Sequence, residues 1–260
     1  MPIHHVITRR LPPCVLAVSD FDGMHAQHRA LLERAREQAR TGRLSLAALV
    51  LAPARRARRT LGNLRDTLQA LRSAGVDHVL VRRAGSDASA ALMASASVRR
   101  VVAADDPASL ARASALVADA LVRADFATLR SLQGQAFLIS GHVVHGRKLG
   151  RTMGFPTLNV RLRHGPCELR GIYVVRVHGL APGPLRAVAS VGVRPTVEQQ
   201  GEPLLEVHVL ESIAPCYGKI VSVEFLTKLR DEARFADLGA LEAAIAGDVR
   251  AAATYFERAA

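Results

Sequence analysis

Glycines at 141, 146, 150 and 154 precede Pro156, Thr157 and Asn159 in the run GHVVHGRKLGRTMGFPTLN. Glycines let backbone N–H groups approach an anion closely. Arg147, Lys148 and Arg151 add positive charge suited to phosphates. Thr157 and Asn159 offer neutral oxygens, the ligands that a hard cation such as Mg²⁺ takes. The run is not a P-loop, which needs Gly, four residues, then Gly-Lys-Ser/Thr opening a helix. Here Gly146 is followed by Arg147 and Lys148, and Pro156 argues against a following helix. Two readings stay open on chemistry alone: a phosphate loop, or a glycine-rich turn with ordinary arginine decoration. Further along, LLEVHVLE places Leu204, Glu206 and His208 on one face of a strand. A carboxylate among inward residues would suit a proton acceptor; the alternative is an outward Glu on an edge strand. The histidines at 142, 145 and 208 read as exposed or packed residues rather than ligands.

The elements that must position these groups fall into two patterns. CVLAVSD, SLAALVLAP, VDHVLVRR and VRRVVAA are short apolar runs, separated over the first three by amphipathic helical stretches at 28–40 and 63–74. Strand–helix alternation predicts a parallel sheet with crossover helices. Gly75 closes the second helix, and residues 108–133 predict two short helices. From about residue 136 the pattern becomes five strand-like runs separated by Gly- and Pro-containing loops, predicting a small antiparallel barrel. A last helix over 238–257 places Leu238, Leu241, Ile245 and Val249 on one face. The boundary is expected near Gly134.

Composition narrows the function classes. The chain has 260 residues, 49% hydrophobic and 22% charged, which excludes disorder as the main state. No apolar run approaches the roughly 20 residues of a membrane span, and the N-terminus lacks a secretory pattern. Three scattered cysteines (Cys14, Cys167, Cys216) suit neither a disulfide framework nor a zinc knuckle, and they read as packing in a cytoplasmic protein. The net charge is +12, and only three of the 35 basic residues are lysines. The charge is uneven: +9 over 1–133 and +3 over 134–260. Nucleic-acid binding is nonetheless not expected, because ten Phe and Tyr and no Trp leave few stacking platforms.

The C-terminal motifs resemble the riboflavin kinase domain. The likeness runs through Gly-x-Val-x-x-Gly and Gly-Arg-x-x-Gly-Phe-Pro-Thr-x-Asn, then Gly171-Ile-Tyr173, Ser190-Val-Gly192-Val-Arg194-Pro195-Thr196, Leu205-Glu206-Val-His208, Tyr217-Gly218-Lys219 and Leu229-Arg230-Asp231-Glu232. One departure is Ser190, where the bacterial pattern usually has Asn. The stretch Ser19-Asp20-Phe21-Asp22-Gly23-Met24-His25-Ala26-Gln27-His28 is similar to the opening of bacterial FAD synthases, which join an FMN adenylyltransferase to a riboflavin kinase. The resemblance implies a Rossmann-like nucleotidyltransferase-type domain over 1–133 and a kinase barrel with its C-terminal helix over 134–260. It implies ATP and riboflavin as substrates and FMN as product. Glu206 is then the catalytic base, and Thr157 and Asn159 hold Mg²⁺ and phosphates. The loop of Gly146, Arg147, Lys148, Gly150, Arg151 and Gly154 binds the nucleotide, and Arg194 or Arg230 contacts flavin or phosphate.

The N-terminal half departs from that pattern. His25 and His28 remain, but Gln27 stands where the family has glycine. Pro53-Ala54-Arg55 lacks the family's histidine, and Ala113–Ala118 lacks both arginines of its Ser-Ser-Thr-Arg-Ile-Arg motif. Each lost group on a triphosphate typically costs on the order of 10²–10³ in rate. The expected function is a riboflavin kinase with a degenerate adenylyltransferase domain, His25 and His28 being vestigial. The alternatives are a bifunctional FAD synthase and a flavin-responsive binding protein. Asp22 is expected to cap the following helix. A segment shortened between Val102 and Ala113 would expose apolar surface, which predicts tight interdomain contact or a homo-oligomer.

Overall fold

Apolar runs of two kinds build two different sheets. The computed structural model describes residues 3–4, 11–52, 60–83, 86–146, 153–161, 169–193 and 203–259. The chain divides into two compact units, Met1–Asp119 with Leu132–Gly134, and Ala120–Ser131 with Gln135–Ala260.

In the first unit the strands are β1 (Ile3–His4), β2 (Cys14–Ser19), β3 (Ser45–Ala52), β4 (His78–Arg83) and β5 (Val98–Val102), in sheet order β1-β4-β3-β2-β5. Every pairing is parallel. A parallel sheet is covered on both faces, so its central strands are continuously apolar. Cys14–Ala17 and Leu46–Val50 are accordingly buried without alternation. On one face Val15, Ala17 and Val79 pack with Leu31, Leu32 and Ala35 of α1 (Ala26–Gly42) and Leu71 of α2 (Leu64–Ser73). On the other, Cys14, Leu16, Leu49 and Leu80 pack with Leu92 of α3 (Asp87–Met93). The short β1 and α3 are additions to the sequence-based reading. β5 lies at the sheet edge with Val101 46% exposed. Among the described residues no helix is long and apolar enough to cross a membrane.

The two expected helices after β5 are α4 (Pro107–Val122) and α5 (Phe126–Gln133). Phe126 of α5 sits among Phe137, Tyr173 and Phe225. This aromatic cluster belongs to a closed barrel in the order β10-β7-β6-β11-β8-β9. Its strands are β6 (Leu138–Val144), β7 (Leu158–Arg161), β8 (Gly171–His178), β9 (Leu185–Val193), β10 (Pro203–Val209) and β11 (Ile220–Arg230). The barrel therefore has six strands, not five. β7 escapes detection because four residues following a proline carry too little alternation to read.

The helix α6 (Leu238–Arg258) opens on Asp237, whose side chain accepts from the Ala240 N–H. Ala252 and Phe256 pack on Ile172, Val174 and Val188, the outer face of β8 and β9. The expected apolar face is the one that packs: Val249 lies against this cluster and Leu241 and Ile245 are half-buried, joined by Asp248, Ala252 and Phe256, while Leu238 in the first turn is 72% exposed. Asp248 is tolerated in that seam because Arg230 grips it with two hydrogen bonds of 2.8 and 2.7 Å.

Candidate active site

Asn159 and Glu206 are direct cross-strand partners on β7 and β10. Opposite residues of an antiparallel pair project to the same face, with Cβ atoms about 4.5–5.5 Å apart. Val144 of β6 continues the row beyond Asn159, and Ser190 of β9 continues it beyond Glu206. Asn159 is only 4% exposed, and its Oδ1 finds no hydrogen-bond partner among the described residues. A buried, unpartnered carbonyl oxygen is costly unless something fills its lone pairs.

Glu206 does not point into the barrel. Leu205, Val207 and Val209 are the buried residues of β10, and Glu206 and His208 alternate onto the half-exposed outer face. The inward placement expected for Glu206 is thus corrected: apolar neighbours on either side claim the interior. The edge-strand alternative fails too, because β10 is paired on both sides, with β7 and β9. A carboxylate on the outer wall, beside a buried amide, can meet a substrate that lies along the barrel surface.

Two glycines shape this wall for different reasons. A Cβ at Gly146 would overlap all three terminal atoms of the Asn159 amide, so glycine is needed for close approach. Gly154 has φ +81°, the left-handed region that favours glycine, and a Cβ there would meet nothing within 4 Å. After the turn, the Pro156 carbonyl accepts a hydrogen bond from His208 Nδ1 at 2.9 Å. The His208 ring also meets Phe155 edge-on at 5.6 Å. Thr157, half-buried, lies between this tether and β7.

Arg147, Lys148, Gly150, Arg151 and Arg194 lie outside the described residues, as does most of the 51–62 charge run. The Arg230 guanidinium is committed to Asp248 and to the Asp231 carbonyl, and it lies over the Phe235 ring. In this arrangement Arg230 is part of an ion pair with Asp248. His142 bonds the Gly218 carbonyl and His145 stacks on Tyr217 at 3.8 Å. Cys14 and Cys216 are buried free thiols whose pKa burial pushes up, and Cys167 lies outside the described residues. The role of His208 was not legible in the sequence, which showed a strand residue two positions from Glu206 but not the carbonyl it reaches. Among the described residues no cluster of three His, Cys, Asp or Glu side chains could hold a metal.

In the first unit, His25 stands at the N-cap position of α1 without a side-chain capping bond, and His28 lies in the first turn. Both are buried, and their rings stack with centroids 4.0 Å apart. His25 Nε2 lies 3.0 Å from Ser114 Oγ of α4. His28 Nε2 stands 3.2 Å from Asp20 Oδ1, close but without hydrogen-bond alignment. Burial, aided by the neighbouring His28, lowers the His25 pKa to about 4, so the ring is neutral at pH 7. Asp22 does not cap α1. It accepts from the Leu61 and Gly62 N–H groups instead, tying the segment before α2 to the β2–α1 turn. Burial raises its pKa to about 6 despite those bonds. Gln27 is exposed on the first turn of α1.

Comparisons with known proteins agree across both units. A family model for riboflavin kinase matches residues 133–256, and one for FAD synthetase matches residues 7–103. The bifunctional riboflavin kinase/FMN adenylyltransferase of Escherichia coli K12 is 33% identical, covering 98% of this chain and 96% of its own. That alignment spans 302 positions against this chain's 260 residues, so the relative carries segments this chain lacks. The enzyme of the same name from Haemophilus influenzae is 30% identical with 97% of each chain covered. The one from Pseudomonas fluorescens is 46% identical over 142 residues, 54% of this chain and 44% of its own. A crystal structure described as a macrolide-efflux protein from Streptococcus pneumoniae superposes with TM-score 0.69 over 93% of this chain and 94% of its own. At 22% identity it shows a shared fold.

Proposed function

Because the chain belongs to the bifunctional riboflavin kinase/FMN adenylyltransferase family, we propose that its barrel makes FMN while its first unit has lost adenylyl transfer. The chain carries a riboflavin kinase domain. The proposed reaction moves the γ-phosphoryl of ATP to the ribityl 5′-hydroxyl of riboflavin. The hydroxyl oxygen forms the new O–P bond, the bond to the β-phosphate oxygen breaks, and ADP leaves.

The observation that carries this reading is the Asn159–Glu206 cross-strand pair, with Asn159 Oδ1 buried and unpartnered. That oxygen, with Thr157, fits Mg²⁺, which takes a few protein oxygens and completes its shell with water and phosphate. Bound there, Mg²⁺ would neutralise charge on the transferring phosphates. Glu206, on the adjacent strand, orients the 5′-hydroxyl and accepts its proton. Gly146 and Gly154, having no side chain, would let the backbone beside them approach the nucleotide phosphates closely. Glu206→Gln tests the base. The expected result is a fall in kcat of about 10²–10⁴ with riboflavin affinity retained, read by quenching of riboflavin fluorescence. Wild-type turnover in that variant would overturn the assignment.

Loss of adenylyl transfer is supported by what surrounds His25 and His28. The FAD synthetase match ends at residue 103, before α4. There Ser114, not an arginine, faces His25, and His25 is neutral at pH 7. An arginine at that position would have stabilised a triphosphate in transfer, and a serine hydroxyl does not. The retained match over 7–103 favours the second reading, a bifunctional enzyme, and FAD formation from FMN and ATP decides between them. Free Cys14 and Cys216 suit the reducing cytoplasm.

A further inference from the structure

We propose that His208 is a positioning residue of the kinase site, holding Thr157 in place through the Pro156 carbonyl. The inference rests on the kinase reading above.

The β7–β10 ladder runs from the Leu204–Arg161 pair to the Val207–Leu158 pair and stops there. It cannot extend through Pro156, which has no N–H to donate. His208 is the next residue on β10, and its side chain takes over where the backbone ladder ends. A carbonyl oxygen only accepts, so the 2.9 Å contact to Pro156 requires the proton on Nδ1. Nδ1 is therefore the donor in this contact. The Phe155 ring meets the imidazole at 81°, which sets the plane of the ring as well as its reach.

Thr157 is thus secured on both sides. Leu158 is paired with Val207, and the Pro156 carbonyl is tied to His208, its neighbour on the same strand. Upstream, the Gly154 turn has open space at its Cβ position. One strand therefore carries the proposed base, Glu206, and two residues later the anchor for the proposed metal-side hydroxyl. The spacing between them is set by the pleat of β10 alone. Losing the anchor frees the 154–157 segment to pivot and weakens the Mg²⁺–nucleotide subsite, leaving Glu206 where it was.

The test uses the full chain with His208→Asn, His208→Gln and His208→Ala. The asparagine amide nitrogen sits as many bonds from Cα as Nδ1 does; glutamine overreaches by one. Isothermal titration calorimetry with ADP and Mg²⁺ reads the subsite without turnover. The Kd is expected to rise about five- to tenfold in the Ala and Gln variants, the worth of one hydrogen bond, and to stay within about twofold in the Asn variant. In turnover, KM for Mg·ATP should rise with kcat little changed. Wild-type affinity in His208→Ala, failure of Asn to rescue, or a fall in kcat at unchanged KM would each overturn the proposal. Should His208→Ala not fold, the Asn–Gln contrast decides alone. Glu206→Gln runs in parallel. If wild type binds no Mg·ADP, the kinase reading itself fails. If wild type binds it and the His208 variants match, only the positioning role fails.

Discussion

Substituting Gly146 by Ala should damage the site through Asn159. A Cβ there would overlap Cγ, Nδ2 and Oδ1 of the Asn159 amide together, against a comfortable separation of about 3.5–4 Å. Asn159 has little room to yield. It is 4% exposed and is flanked by Val144 on β6 and Glu206 on β10. Either the amide swings away or β6 parts from β7, by roughly 1 Å in both cases. Overpacking of this kind costs about 1–3 kcal/mol, and each kcal/mol lowers Tm by about 2–4 °C in a chain of this size. A displacement of about 1 Å at a reacting group costs about 10²-fold in rate. The assay is FMN formation against Mg²⁺ concentration, with thermal unfolding alongside. Gly146→Ala should lower Tm by several degrees, raise the Mg²⁺ half-saturation and cut the rate about a hundredfold. Gly154→Ala is the control. Its φ of +81° costs about 1–2 kcal/mol with no atom to collide with, so its Mg²⁺ half-saturation should move much less. Equal Mg²⁺ dependence in wild type and Gly146→Ala would refute the reasoning.

Three further outcomes follow from the same geometry. Asp248→Ala leaves Arg230, about a third exposed, without its carboxylate. Urea unfolding should show a loss of about 2–4 kcal/mol with riboflavin affinity unchanged; a parallel loss of flavin binding would instead place Arg230 at the flavin. Asp22, raised from 3.8 to about 6, holds a proton in the native state that the unfolded chain has already released. Its contribution to stability is therefore full below about pH 4 and is lost as pH rises through 6, and Asp22→Asn should flatten that window in denaturant titrations across pH. His25, lowered from 6.5 to about 4, acts in the opposite sense: stability falls as pH drops below 6.5, because the unfolded chain takes a proton that the native state refuses. His25→Gln should gain stability relative to wild type on going from pH 7 to pH 5, and an unchanged difference would contradict the assigned burial.

The sequence showed most of the scaffold, and the site only through its motifs. Continuous apolar runs such as CVLAVS and SLAALVLA are legible because a parallel strand is buried on both faces. The helices α4 and α5 follow from composition. β7 was hidden because its strand character comes from pairing with β6 and β10, not from its own four residues. The face of Glu206 was misjudged because alternation gives two faces without saying which is inside; the closure of the barrel on Leu205, Val207 and Val209 decides it. The α6 face was legible from Leu241, Ile245 and Val249, but its passage through Asp248 was not. An aspartate reads as solvent-facing until Arg230, 18 residues earlier, is seen to reach it. Asp22 likewise bonds N–H groups about 40 residues away, which no local rule for helix caps could supply. Thr157 and Asn159 were found by residue type and motif, but the burial that gives Asn159 Oδ1 its meaning is a tertiary fact.

The most direct measurement is chromatographic separation of FMN from FAD after the purified full chain is incubated with riboflavin, ATP and Mg²⁺, with Glu206→Gln in parallel. The account predicts FMN without FAD, and FMN formation slowed by about 10²–10⁴ in the variant. FAD in the wild-type reaction would contradict the loss of adenylyl transfer argued from His25, Ser114 and Gln27. The absence of FMN from the wild-type reaction would contradict the kinase assignment itself.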